Sequence, residues 1–584
     1  MAAKFPVPPG QSERRYRART LASLSALLVA CSGQVGGPVG AFSGREGAPG
    51  SPANPGGGSG TGTDNKGGPD VSKAPLDCAS LHVGYTPLQR ISRDQYANTI
   101  RDLFAVSFDR STLSDDERVG VFDGNIVASV TDLLVDEYAT AAERVAKQVQ
   151  PNIEKLVTCD RAAQSDDKCA AEFIDKFGQR VYRRPLSADE KAAYVALFAE
   201  YKGGGYPGAL RVVLQTMLQS PNFLYRVELQ PVTPGKGEAQ KLDAYELASR
   251  LSFFLLSTTP DEALLAAAAS GELLTDDGLV EQTERLLEDA RFSDTLESFH
   301  VHWLDLEKLG TLNKDSTIFP MFSSEVAGQM RDDTLKFVDY VIREDDAKLD
   351  TLLTASYGFP QGKLAELYGV TPAASADEPV QLDPKQRAGL LTQPAFLAAH
   401  SHYNSTSPVE RGKIVIRNVL CQQLPDPPAD VNTTPPDPAA DATIREALAE
   451  HQASPSCSGC HKRIDGIGLG FEQFDAIGSF RTTENEKPVD SSGEIVQVDD
   501  QVNGKFGNSI ELVTRLAGSD AVKECVATQW LRFALGRVEA NADQCTLDKL
   551  FKDFAGSDHD IRVLLESIVL SDAFRNKRVA GVSP

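Results

Sequence analysis

Within the 584 residues, one pentapeptide has the residue types and spacing for covalent cofactor chemistry: Cys457-Ser458-Gly459-Cys460-His461. On a helical turn, two thiols so spaced can each add to a vinyl group of haem, and the adjoining imidazole then lies under the iron as proximal ligand. The segment is read as the attachment site of one haem c, with Cys457 and Cys460 as tethers and His461 on the iron. Two other readings use the same atoms. Cys457 and Cys460 can close a disulfide with His461 left at the surface, or His451, Cys457, Cys460 and His461 can hold a metal ion. A second Cys-x-x-Cys, needed to complete a zinc ribbon, is absent from the sequence. Pro455 and Gly459 permit a tight turn at the motif, and Ile464, Ile467, Leu469, Phe471 and Phe474 follow as apolar side chains of the kind that cover a haem face.

The distal side of such an iron is usually filled by Met or His when electrons are transferred, and left open when ligands are bound or activated. The four methionines, Met1, Met217, Met321 and Met330, all precede the motif. The distal candidates are therefore His451, His400 and His402, with an open position as the alternative; His300 and His302 are more remote in sequence. No P-loop, His-Glu-x-x-His or Gly-x-Ser-x-Gly elbow occurs. Glu472 and Asp475 read as capping or salt-bridge carboxylates, with Arg481 a partner for them or for a haem propionate.

The elements that must position these residues read as helices. Ser92-Arg-Asp-Gln95 and Ser187-Ala-Asp-Glu190 are capping boxes, each followed by an apolar face (Tyr96, Ile100, Leu103, Phe104; Tyr194, Leu197, Phe198, Tyr201). Asp243 can cap a helix bearing Leu247, Leu251, Phe254 and Leu255. The stripe from Leu210 to Leu218 stops at Ser220-Pro221, since proline cannot continue a helix. The segments 276–308, 324–343, 510–537 and 561–568 keep the helical period. Gln497–Val502 and the stretch after Pro488 are the best candidates for a small hairpin. Residues 424–438 form a proline-rich extended connector. Leu218-x-Ser220-x-x-Phe223 and Leu570-Ser571-x-x-Phe574 echo each other too faintly to define a repeat.

The N-terminus reads as targeting. Arg14, Arg15, Arg17 and Arg19 precede the apolar run Leu21–Ala30, which is too short to span a bilayer and ends at Cys31. This order resembles a bacterial lipobox, with cleavage before Cys31 and lipidation of its thiol. Residues 32–75, rich in Gly, Pro and Ser, lack the apolar surface needed to fold and read as a tether. No other run is long enough to span a membrane, so the lipid is the expected anchor, at the periplasmic face or the cell surface. Six of the nine cysteines remain after Cys31, Cys457 and Cys460. An even remainder in an oxidising compartment points to disulfides. Cys159 and Cys169 close a short loop, Cys525 and Cys545 flank a helix and a turn, and Cys78 with Cys421 follows by elimination. The net charge of −23 excludes a nucleic-acid partner and suits a basic redox partner.

These motifs resemble a family of large exported bacterial proteins built from serial domains of unknown function, numbered fifteen-eighty-seven, fifteen-ninety-five, fifteen-ninety-two, fifteen-eighty-eight and fifteen-eighty-five in chain order. Leu88-Gln-Arg90-Ile-Ser-Arg-Asp-Gln-Tyr96 and Arg101-Asp-Leu103 are similar to the first; Arg183-Arg184-Pro185-Leu186 and Leu218-Gln-Ser-Pro221-Asn-Phe-Leu-Tyr225 to the second; Leu247-Ala-Ser-Arg250 and Pro260-Asp261 to the third. Thr406-Ser-Pro-Val-Glu-Arg411-Gly412, His451, the Cys-x-x-Cys-His segment and Phe474-Asp475-Ala-Ile-Gly478 are similar to the fourth, and Trp530-Leu-Arg532-Phe-Ala-Leu-Gly536-Arg537 with Ser571-Asp-Ala-Phe574 to the fifth. Gly466 departs from the family, which usually has Pro after Asp465; the change should loosen that turn and leave the ligands intact. The resemblance implies a haem-motif module within a mostly helical chain and carries no assigned reaction or substrate.

The expected fold is mainly α: a multi-helical compact assembly with a cytochrome-c-like haem module and at most a small β-hairpin. The expected division is a signal peptide (1–30), a lipidated tether (31–75), helical modules at 76–160, 161–235 and 236–370, the haem-motif module at 380–485 and a C-terminal helical module at 486–584. The leading expectation is a lipid-anchored, extracytoplasmic c-type haem protein in electron transfer or oxidoreduction. Its rival is a haem-free surface lipoprotein acting as a binding or assembly module, with a Cys457–Cys460 disulfide.

Overall fold

The computed structural model describes residues 76–126, 130–228, 239–425, 441–452 and 455–578, excluding the side chains of residues 450–452 and 455–457. The signal peptide, Cys31, the tether, most of the proline-rich connector, and the side chains of His451 and Cys457 lie outside the described residues. Cys78 onward forms one body, described below.

Local chemistry builds the helices as the sequence leads one to expect. Ser92 with Gln95, Ser187 with Glu190 and Asp243 with Glu246 form capping boxes at the starts of Arg93–Phe104, Ala188–Tyr201 and Ala244–Leu255. Each satisfies an otherwise orphaned N–H of the first turn. The apolar faces gather into two cores. One runs from Ile91 to Leu224 and includes Phe253; the other takes Phe122 and then extends from Ala244 to Phe574. Among the described residues, strands occur only as six two-stranded antiparallel pairs.

Two of those pairs expose a duplication that the primary sequence barely shows. In the first repeat, strand Gln89–Arg90 leads to Ser92 and a twelve-residue helix. In the second, strand Gln240–Lys241 leads to Asp243 and a twelve-residue helix. Both repeats close alike. Helix Asp166–Tyr182 ends at left-handed Arg183, and helix Asp520–Leu535 at left-handed Gly536. The next residue is an arginine with a bidentate carboxylate six positions on: Arg184 with Glu190, and Arg537 with Asp543. Two more helices follow, then a serine-capped four-residue helix, Pro221–Leu224 or Asp572–Arg575. A final two-residue strand returns to the first: Arg226 lies opposite Gln89, and Lys577 opposite Gln240. Even the carbonyls of the short helices are held alike. Arg183 donates to those of Asn222, Phe223 and Tyr225, and Arg250 to those of Ala573, Phe574 and Asn576. The echo around Ser220 and Ser571 is thus a structural repeat. The Cys-x-x-Cys-His segment lies in the long insertion, 256–519, of the second copy.

The disulfides correct two of the three expected pairings. Cys159 joins Cys169 as their short loop suggests, with Cα atoms 5.4 Å apart. Cys525 joins Cys421, not Cys545, and Cys78 joins Cys545, not Cys421, with Cα separations of 5.3 and 5.6 Å. The reason lies in the helix faces. One turn beyond Cys525, Gln529 donates to the carbonyl of Asn418, so that face of the helix meets the 415–421 segment. Gly84 meanwhile donates to Asp543, which brings the chain near Cys78 to the start of the helix bearing Cys545. The expected hairpin is also shifted. Gly493–Ile495 pairs with Gly504–Phe506, so Gln497–Val502 is the connecting loop rather than a strand.

Candidate functional site

The motif is not a tight turn: Pro455–Gly468 is one continuous helix, with Pro455 in its first turn, where a missing N–H costs nothing. The helix is held by close backbone approach. A Cβ at Gly468 would lie 1.8 Å from the carbonyl oxygen of Pro408, and one at Gly412 would lie 2.1 Å from that of Ile464. Glycine at both positions lets the helices Pro408–Ile414 and Pro455–Gly468 touch along their backbones. Gly466 has the same kind of task, since a Cβ there would meet the Glu494 carbonyl oxygen at 2.5 Å. Its departure from the family pattern therefore falls inside a helix against the Gly493–Ile495 strand, rather than loosening a turn.

Four residues beyond His461 and on the same helix face stands Asp465. The imidazole Nδ1 lies 3.0 Å from one Asp465 carboxylate oxygen and 3.2 Å from the other. Asp465 is fully buried, whereas His461 retains 19% of its side-chain exposure. A carboxylate can only accept, so Nδ1 carries the proton and Nε2 is the nitrogen whose lone pair is directed outward from the pair. This is the arrangement that fixes the tautomer and ring orientation of metal-ligating histidines. The sequence spacing announces it, but Asp465 reads there only as part of an apolar run. Cys460 is half-buried and packs against the main core. A thiol adjoining an imidazole with a committed Nδ1 fits a covalent haem, which Cys457, Cys460 and His461 would hold. Ile464, Ile467, Phe471 and Phe474, expected over a haem face, belong to the protein core.

The other named residues have definite tasks. His400 is buried, its Nε2 donates to the Leu304 carbonyl at 2.8 Å, and its Nδ1 has no hydrogen-bond partner. Burial pushes its pKa down to about 4, so the ring is neutral. His402 is exposed, and its carbonyl accepts from Lys314 at 2.8 Å. His451 lies outside the described side chains. Glu472 is buried between Arg481, at 2.9 Å, and Arg411, at 3.6 Å. Asp475 accepts from the N–H groups of Ile477 and Ser479 to shape a turn. Arg481 is thereby committed to Glu472 and Glu484. Sequence reasoning missed the role of Arg411. Fully buried, it donates to the carbonyls of Leu397, Phe471, Phe474 and Asp475 and to Ser401, tying the 397–401 segment to the 471–475 stretch that follows the motif helix. Among the described residues no cluster of three His, Cys, Asp or Glu is placed to hold a metal ion, and no helix is long and apolar enough to cross a membrane.

Fold and site define a mainly helical, duplicated, disulfide-bonded chain with a Cys-x-x-Cys-His helix in its second copy. Five family models match it in order: proteins of unknown function DUF1587 at residues 89–150, DUF1595 at 169–228, DUF1592 at 242–370, DUF1588 at 387–484 and DUF1585 at 503–574. The chain belongs to the family assembled from these five domains, and the motif helix falls in the DUF1588 match. No curated protein and no solved structure matches.

Proposed function

We propose that this protein is an extracytoplasmic c-type haem protein, lipid-anchored through Cys31, that carries electrons or serves as a haem-dependent oxidoreductase. The observation that carries the reading is the His461–Asp465 pair, an imidazole held by a buried carboxylate directly after a cysteine of a Cys-x-x-Cys pair. The cofactor would supply one-electron chemistry; Cys457 and Cys460 would anchor it, and Asp465 would keep Nδ1 protonated and the ring oriented. Three disulfides agree with an oxidising compartment, where haem c is attached. The net charge of −23 suits docking to a basic redox partner. The test is a visible and pyridine haemochrome spectrum of the mature chain produced with haem-maturation machinery. A c-type spectrum with one haem per chain is expected. Haem-free protein with a Cys457–Cys460 disulfide would instead favour the binding-module reading.

A further inference from the structure

The strand pair Arg118–Val119 and Phe122–Asp123 belongs to the first repeat but is seated on the second. Phe122 stacks on Phe299 with ring centroids 5.2 Å apart and meets Phe533 edge-on at 5.3 Å. The residue after Phe122 and the residue three beyond Phe299 belong to a cluster of charged groups drawn from both repeats. His302, 5% exposed near the end of helix Phe292–Trp303, has Nε2 3.5 Å from an Asp123 carboxylate oxygen and 3.3 Å from one of Glu307. Left-handed Asp305 turns the chain just beyond the helix, so that Glu307 comes back to the ring. Arg118 reaches Asp123 at 3.3 Å and also pairs with Glu307.

Two carboxylates against one guanidinium leave the cluster with one negative charge in excess while the imidazole is neutral, and balanced once it is protonated. A carboxylate only accepts, so Nε2 carries its proton in both states. The titrating proton sits on Nδ1, which is buried without a hydrogen-bond partner. It therefore adds charge rather than a further hydrogen bond. Burial opposes that charge, but Glu307 and Asp123 outweigh it and raise the ring's pKa above its ordinary 6.5. The same contact draws the Glu307 carboxyl down to about 2, whereas burial pushes that of Asp123 up. Asp116 adds to the negative field at Asp123. The other charges nearby are matched. On the same helix Asp294 is paired with Arg101, and Glu297 with Arg331 of the adjoining helix Ser324–Arg343. Lys308 is paired with Asp305, and Arg110 with Asp94. From the other two helices packed on this one, Arg532 is paired with Glu539 and Arg250 with Glu228. We propose that His302 is a proton-operated latch: charged, it fastens the Arg118–Asp123 hairpin of the first repeat to the second; neutral, it lets the hairpin loosen. The seated ring holds a proton that the released ring gives up. The fastening is therefore complete below about pH 6.5 and is lost as pH rises through the raised value. The inference involves neither a haem nor the motif helix.

The test uses the mature full chain in two measurements. With only eight histidines in the sequence, carbon-13 labelling of the imidazoles and a pH titration by NMR can follow each ring, the His302 signal being the one lost in His302→Gln. Its midpoint should lie above 6.5, and Glu307→Gln should lower it. Hydrogen–deuterium exchange, corrected for the intrinsic rate, should show the peptide that spans Arg118–Asp123 opening several-fold more readily at about pH 8 than at about pH 6. His302→Gln should open equally at both. Glu307 is 42% exposed, so Glu307→Gln should fold and keeps the test decisive if His302→Gln does not. The proposal is overturned if His302 titrates below 6.5, if Glu307→Gln leaves its midpoint unchanged, if the hairpin of the wild type exchanges alike at the two pH values, or if the difference persists in His302→Gln.

Discussion

A single buried carboxylate decides how His461 is presented. With Asp465 accepting from Nδ1, the ring is held in one tautomer and orientation, and its electron donation to a bound iron would be strengthened. Asp465→Asn should therefore leave the thioether tethers intact, since these depend on the cysteines, but raise the reduction potential, because an imidazole without the anionic hydrogen-bond acceptor donates less to ferric iron. A redox titration of the two proteins checks the sign, and an unchanged potential would remove Asp465 from the positioning role. A second residue-scale effect concerns stability. His300 is buried, donates from Nδ1 to the Leu296 carbonyl at 2.8 Å, and has its pKa pushed by burial from 6.5 down to about 4. Between those values the unfolded ring binds a proton that the folded ring does not. Stability should therefore fall as pH drops from 6.5 to 4, with this group contributing up to about 3 kcal/mol. Asp333, pushed up to about 6 by burial, works in the opposite direction over part of that range, because its folded form binds the extra proton. Denaturant unfolding of wild type and His300→Leu across this range should show a shallower acid loss in the variant.

At the scale of elements, contrasting glycines show what holds the motif helix. Gly468 and Gly412 meet backbone oxygens that cannot swing away, whereas Gly459 has nothing within 4 Å of a built Cβ. Gly468→Ala should cost about 1–3 kcal/mol in denaturant unfolding, the usual range for overpacking. Gly459→Ala, on the exposed helix face, should be neutral or stabilising by up to about 1 kcal/mol, because alanine loses less backbone freedom in a helix. Equal effects would refute the backbone-contact picture. The helices were legible in the sequence because a cap is a local device: Ser92 and Gln95, or Asp243 and Glu246, stand three residues apart. The His461–Asp465 spacing was equally local, but the carboxylate was overlooked among Ile464, Ile467 and Leu469. The strands were not legible. Gln89–Arg90 is too short to show alternation, and its partner Tyr225–Arg226 lies more than a hundred residues away.

For the whole molecule, the duplication and the cross-links are what the sequence concealed. The repeats retain positions rather than residue identities. Arg183 and Arg250, from unrelated places, hold corresponding carbonyls, and a long insertion separates the second copy's opening from its closing. Cysteine pairing depends on which helix faces meet, so even parity predicted bonding without naming all the partners. The Cys421–Cys525 bond closes a loop of 104 residues and should contribute about 4–5 kcal/mol through the unfolded chain. Cys421→Ser with Cys525→Ser should lose stability on that scale in denaturant unfolding, and a non-reduced peptide map should recover Cys78 with Cys545 and Cys159 with Cys169 in both proteins. The measurement that bears most directly on the central claim is a peptide map of the mature chain, made with haem-maturation machinery, across the Pro455–Gly468 helix. The expected result is one haem bound through thioethers to both Cys457 and Cys460 on a single peptide that also contains His461. Recovery of that peptide at its unmodified mass, with its thiols free or joined to each other, would contradict the haem assignment.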